Sequence, residues 1–281
     1  MSNRLAGKGV LVTGASRGIG AGIAERLAAE GANVVIVART LDSHPVLPGS
    51  LHEVLQTLNS YGGGHSYIVA DMSNPSDREG LVAQAQEQLG GPVEILVNNA
   101  AAAIYQSLDT YPLRRRQLMM EINFHAPLDL AQDVIPDMRA AGEGWIINVS
   151  SASANHEPGP PFREGGLVNV MGIYGATKAA LNRLTNAMAV ELHQDNIRVN
   201  TIEPKAAVLS PGADIKVGDM LTDEQIESLE AMVEATLFLC DCDRDYTGKI
   251  CSSLDLIEEQ NLTVMELSGK APYPGGIRPA K

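Results

Sequence analysis

The sequence predicts an α/β protein: a single doubly wound domain on a mostly parallel sheet of about seven strands, with helices on both faces. Three observations predict it. Apolar runs of strand length alternate with stretches of helical period from the first residues to about Ile202, without a linker, a repeat or a low-complexity block. The runs VVIV (34–37) and VEILV (93–97) are apolar almost throughout, as strands covered on both faces are. The first strand runs straight into TGASRGIG (13–20), a glycine-rich turn that opens a helix.

In order, residues 9–13 read as the first strand and 19–30 as a helix whose Ile23, Leu27 and Ala28 share a face. Gly31 closes that helix and 33–37 form the second strand. Further strands fall at 66–70, 95–98, 145–149, 198–202 and 250–252. Helices fall at 51–60, 77–89, 113–141 with a break near Pro127, 174–193 and 223–239. Three segments interrupt this rhythm: 42–49 (DSHPVLPG), 155–166 (NHEPGPPFREGG) and an irregular tail, 267–281. Their Pro and Gly content makes them loops. The 155–166 insert lies between a strand end and a helix start, where ligands sit in open α/β sheets, so it is expected to border a substrate pocket.

The 281 residues, 44% hydrophobic and 20% charged, have the composition of a folded globular chain, which excludes fibrous or disordered classes. Lys and Arg number 21 against 34 Asp and Glu, and the formal charge of −13 makes nucleic acid an unsuitable partner. No apolar stretch approaches the roughly 18 residues of a membrane span, so the expected location is cytoplasmic. Three cysteines, Cys240, Cys242 and Cys251, are too few and too poorly spaced for a disulfide framework or a zinc site, and are expected to be free thiols.

Gly14, Gly18 and Gly20 stand where a dinucleotide pyrophosphate approaches the backbone at a helix N-terminus. The second strand ends Ala38–Arg39 with no acid to accept from a ribose 2′-hydroxyl, and Arg17 can bring a second guanidinium to a 2′-phosphate. NADP(H) is therefore favoured over NAD(H). Asp71, after the third strand, is placed to accept from the adenine amino group.

Tyr174 and Lys178, four apart at a helix start, share a face, so the ammonium is expected to lower the phenol pKa towards a range useful for proton transfer. With seven tyrosines in the chain that spacing alone is only suggestive. Its company is more specific: TGASRGIG, NNA (98–100), the Asn123 of MEINFHAP, INVSS (147–151), YGATK (174–178) and RVNTIEP (198–204) follow in order. With these motifs the chain resembles the short-chain dehydrogenase/reductase family, whose Rossmann-type domain carries NAD(P), over most of its length. The loop 42–49 and LDTYPLRRRQLMMEIN resemble a subset that includes hydroxysteroid-dehydrogenase-like proteins.

The resemblance implies a hydride transfer between nicotinamide and a small-molecule carbonyl or alcohol. Tyr174 would be the general acid or base, Lys178 would hold the nicotinamide ribose, Ser151 would bond the substrate oxygen, and Asn123 would help hold a water leading to Lys178. The implied cofactor-binding set is Gly14, Ser16, Arg17, Gly18, Ile19, Gly20, Arg39, Asp71, Met72, Asn98, Ala100, Tyr174, Lys178 and Pro204. A homodimer or homotetramer is expected on the same ground. Departures from the family pattern are Ala101 for a glycine, Lys205 for a glycine, Leu209 for a threonine, and a lengthened Ser151-to-Tyr174 gap. An apolar pocket is expected from Ala102, Ile104, Leu209 and Phe162, with His156, Glu157, Arg163 and Glu164 as further candidates from the insert. The rival class is a non-catalytic NADP-binding regulatory protein; an NAD-dependent enzyme of the same fold is the other alternative.

Overall fold

The computed structural model describes residues 3–162, 165–210 and 221–279. Its centre is one seven-stranded sheet of order β3-β2-β1-β4-β5-β6-β7, parallel throughout. The strands are β1 (Gly9–Thr13), β2 (Asn33–Ala38), β3 (Ser66–Val69), β4 (Ile95–Asn98), β5 (Gly144–Val149), β6 (Ile197–Glu203) and β7 (Ile250–Ser252). Alternation within the strands divides the core in two. Val10, Val12, Val34, Ile36 and Ile147 face one layer, which holds α1 (Gly18–Ala29), α2 (Leu51–Asn59), α8 (Leu229–Leu239) and α9 (Ser253–Glu259). Leu11, Val35, Val37, Leu96 and Ile146 face the other, which holds α4 (Leu81–Leu89), α6 (Ala126–Ala141) and α7 (Gly172–Leu192). Strand order reverses between β1 and β4, so connections diverge to opposite faces and open a crevice at their carboxyl ends.

Three predicted helices are divided. The 77–89 segment ends early as the short α3 (Pro75–Arg78), because Gly80 takes a left-handed φ of +71° before α4 starts. The buried Arg78 holds the corner by donating to Met72 O, Glu121 and Asp129. The 113–141 segment is α5 (Leu113–Met120) and α6 joined by a π turn, Glu121–His125, just ahead of Pro127, which has no N–H to give. The 223–239 segment becomes a short 3₁₀ turn and α8, because Ile226 pairs with Ala207 and Ser228 caps Ala231 N. Among its described residues the tail has no helix, yet it is anchored. Met265 bridges Pro272, and Ser228 donates to both Gly276 O (Oγ, 2.8 Å) and Ile277 O (N, 3.0 Å). The three cysteines are free and buried, and burial pushes their thiols up, away from thiolate chemistry. No helix among the described residues is long and apolar enough to cross a membrane.

Candidate active site

The crevice holds two adjoining cavities that share Ile19, Asn99, Ala101 and Ser210, of about 300 and 1010 Å³. Gly14, Ser16, Arg17, Gly18, Ile19, Gly20, Arg39, Asp71, Met72 and Ala100 all line the smaller. Helix α1 begins there with no side chain capping its first turn and no acid in it, so its free N–H groups and positive dipole end face the cavity. That arrangement suits a pyrophosphate. The glycines act on the protein itself: a Cβ at Gly14 would sit 2.7 Å from Ala100 Cα, and one at Gly20 would strike Asn99 Nδ2. Asn99, which the sequence reading did not single out, locks the turn by donating to Thr13 O (2.9 Å) and Gly14 O (3.0 Å). Its signal was the second Asn of NNA.

The two arginines separate. Arg39 is 68% exposed and 3.5 Å from Asp71, open to an anion. Arg17 instead donates to Pro48 O (2.8 Å), Gly49 O (2.8 Å) and Thr40 Oγ1 (3.3 Å), which ties the 42–49 loop to the glycine turn. Burial and the like charge of Arg39 draw the Arg17 pKa down. For Asp71, burial pushes upward but is outweighed by bonds from Ser73 and the charge of Arg39, which hold it below the usual carboxylate value. Asn98 lines neither cavity: it lies buried, donating to Asn148 Oδ1 (2.9 Å) in a chain that continues through Thr185 to Thr201.

Tyr174, Lys178, Ser151 and Pro204 line the larger cavity. Gly175 permits the approach of α7 to the turn after β5, since a Cβ there would strike Ser153 O. Ser151 Oγ then reaches the Tyr174 phenol and also accepts from Ser153 N (3.3 Å) and Ser153 Oγ (3.0 Å). Lys178 is fully buried below them, Nζ donating to Val149 O at 2.8 Å and lying 6.0 Å from the Tyr174 ring centre. The expected lowering of the phenol pKa is reversed: burial, and then the neighbouring Tyr105, push it above its ordinary value, against the Ser151 bond. The ammonium is turned to a carbonyl rather than to the phenol, and burial brings its own pKa down to about 8. Asn123 is wholly buried in the π turn, its amide bonded to Ala102 N, Ala102 O and Thr177 Oγ1, each at 2.9 Å. Its side chain clamps the 101–107 segment to α7, both amide hydrogens donated and the oxygen accepting from Ala102 N.

The apolar lining shifts by one residue from the expected set. Residues 101–107 form no regular element, and Ala101, Ala103 and Tyr105 face the cavity in place of Ala102 and Ile104, as alternation in an extended chain requires. Val208 and Ser210 likewise replace Leu209. Phe162 is 60% exposed, and neither it nor His156 or Glu157 lines either of these two cavities. Arg163 and Glu164 lie outside the described residues. The turn after the insert, not the insert, brings in Leu167 and Met171.

Residues 8–212, which carry this two-hydroxyl pair, buried ammonium and uncapped helix start, match the family model described as short chain dehydrogenase. The chain belongs to the short-chain dehydrogenase family. Within that family it is 28% identical over 272 residues to hydroxysteroid dehydrogenase-like protein 2 of Xenopus tropicalis, covering 96% of this chain and 62% of the relative. The mouse protein of the same name is 29% identical over 273 residues, with 53% of its length covered. The chain thus spans between half and two thirds of the length of these relatives. Among solved short-chain dehydrogenase structures, one from Mycobacterium thermoresistibile superposes with a TM-score of 0.78 at 27% identity, covering 98% of this chain and 99% of that one. A 3-oxoacyl (acyl-carrier-protein) reductase from Agrobacterium tumefaciens C58, solved with NADP bound, gives 0.76 at 28% identity, covering 89% and 94%.

Proposed function

We propose that the chain is an NADP(H)-dependent oxidoreductase that interconverts a ketone or aldehyde with its alcohol, with Tyr174 as general acid in reduction and general base in oxidation. The observation that carries this reading is the convergence of Ser151, Tyr174 and Lys178 at one end of a trough whose other end presents the α1 N-terminus and Arg39. When bound, the nicotinamide supplies or accepts the hydride.

Ser151 and Tyr174 together bond the substrate oxygen, and Ser151 stays as its donor while charge develops there. Burial keeps Tyr174 protonated at neutral pH, which suits donation to that oxygen. Lys178 holds the ribose side of the cofactor and supports the phenolate that donation leaves. Arg39 takes the 2′-phosphate, the α1 turn with Gly14, Ser16, Gly18, Ile19 and Gly20 takes the pyrophosphate, and Asp71 and Met72 border the adenine. The NADP bound to the Agrobacterium tumefaciens reductase supports the cofactor choice. The three reduced, buried thiols support a cytoplasmic setting. Leu113 and Leu118, exposed on α5 beside Arg114, Arg115 and Arg116, support a homodimer or homotetramer.

The test is NADPH oxidation against a panel of ketones, aldehydes and diketones, with NADPH affinity measured in the same samples. Tyr174→Phe is expected to lower turnover about 10²- to 10⁴-fold while cofactor binding stays within a factor of a few. Tight NADPH binding by wild type with no turnover in either direction overturns the enzyme in favour of a non-catalytic NADP-binding protein.

A further inference from the structure

The larger cavity has a cation that the proposed chemistry leaves without a role. Arg278, in the tail, lines it together with Tyr174 and Ser151. Its guanidinium is fixed in place, Nη1 donating to Ile226 O at 2.6 Å and Glu224 O at 2.8 Å. The backbone behind it is fixed too, since Gly276 O and Ile277 O are both bonded to Ser228 at the head of α8. Two carbonyl oxygens orient a guanidinium without neutralising it, and among the described residues no carboxylate lies within salt-bridge distance of Arg278. Glu227, whose charge it does feel, is buried with its oxygens already accepting from Ala206 N (2.9 Å) and Ser253 Oγ (2.7 Å).

The rest of the lining sets the charge. Lys205 is closed on Asp255 at 2.8 Å, and Lys178 lies buried beneath the phenol. Glu224 is the one carboxylate among the described lining residues, and it meets Arg278 through its backbone oxygen. A chain of net charge −13 thus places Lys178, Lys205 and Arg278 in the lining of this cavity, against a single acid among the described residues. The cofactor phosphates do not account for Arg278, because α1 and Arg39 line the smaller cavity and Arg278 does not. The same lining includes the apolar Ala103, Leu167, Met171, Leu221 and Leu254.

Resting on the oxidoreductase reading above, we propose that Arg278 is an anion-recognition residue of the substrate cavity, and that the carbonyl substrate carries an oxyanionic group joined to its carbonyl by an apolar body. A planar guanidinium held by one nitrogen presents its remaining N–H donors in the geometry that a carboxylate, sulfate or phosphate ester accepts. The tail is thereby part of the active site rather than a trailing segment.

The experiment measures equilibrium binding, by calorimetry with NADP⁺ present, of a series of short- and medium-chain methyl-ketone carboxylic acids and of their methyl esters. An acid in the series is expected to bind about tenfold or more tightly than its ester, as a charge-assisted bond to a fixed guanidinium predicts. Arg278→Gln removes that difference by weakening the acid alone, and Arg278→Lys restores part of it. Equal affinity of acid and ester throughout, no binding of any acid, or an Arg278→Gln variant that weakens both alike overturns the proposal, the last outcome leaving Arg278 as a support for the 224–226 segment. Tyr174→Phe keeps the two readings apart. Acid selectivity that depends on Arg278 but accompanies no turnover sinks the oxidoreductase and leaves the anion site standing, whereas turnover of acids and esters with equal KM does the reverse.

Discussion

Arg26, on the face of α1 that packs against α8, and Lys178, on α7 beneath the cavity, are only 4% and 2% exposed, yet they are buried in opposite company. Arg26 lies between Glu30 (2.5 Å) and Glu234 (3.3 Å), so the low-dielectric interior holds a cation with its counter-charges. Arg78 follows the same rule with Glu121 and Asp129. Lys178 has one carbonyl, that of Val149, and its pKa falls to about 8. A buried cation with acids around it secures a fold. One without them costs stability, and a cost of that kind at a cavity wall marks a working group.

The difference can be broken by removing each cation. Lys178→Met is expected to abolish turnover, by about 10³-fold or more, and at the same time to raise stability at pH 7 by about 1–3 kcal/mol. The sign follows from the folded pKa of about 8 against an ordinary 10.5. Between those values the unfolded chain binds the extra proton, so wild-type stability rises with pH over that window and the advantage of the Met variant shrinks. Urea unfolding of both proteins at pH 7 and pH 10 checks it; a less stable Met variant at pH 7 breaks the comparison.

Arg26→Met is expected to do the converse, losing about 3–5 kcal/mol because Glu30 and Glu234 are left buried without their counter-ion. Activity per folded molecule stays near wild type, which calorimetry and kinetics on the same preparation read together. Loss of turnover in a folded Arg26→Met protein would mean that the distinction between structural and working cations has been drawn in the wrong place.

Two smaller effects sharpen the contrast. Carbonyl reduction is expected to hold level through neutral pH and to fall above about pH 8, where Lys178 loses the charge that supports the phenolate. A kcat/KM profile with no break near that value contradicts the assignment. Arg39 is exposed, pairs with Asp71 and is proposed to take the cofactor's 2′-phosphate. Arg39→Asp is expected to shift the NADPH-to-NADH preference by about 10- to 100-fold, with stability changed by less than about 0.5 kcal/mol. An unchanged preference in the ratio of the two KM values removes Arg39 from the 2′-phosphate site.

Much of the fold was legible because its signals are local. Val34 to Val37 is an apolar run suited to a strand covered on both faces, and the turn from Thr13 to Gly20 carries its glycines within eight positions. Where local pattern failed, a distant partner intervened. Gly80 divides a helix whose corner Arg78 holds from Glu121 and Asp129, and α8 starts late because Ile226 has paired with Ala207. The candidate site shows the same division. Tyr174 and Lys178 are one helical turn apart in sequence and so share the cavity, but the phenol pKa moves against expectation because Tyr105 and the surrounding burial come from elsewhere in the chain.

The sequence by itself determined the parallel sheet and the glycine turn, which depend on a periodicity or a spacing within one segment, and the resemblance its motifs carry pointed to Ser151, Tyr174 and Lys178. The tertiary structure decided what those residues experience. Arg17 became the tie of the 42–49 loop, Asn123 a clamp on the 101–107 segment, and the tail a supplier of Arg278 to the cavity. Charge, desolvation and hydrogen-bond partners are set by neighbours far away in the chain, and only the folded arrangement fixes which neighbours those are.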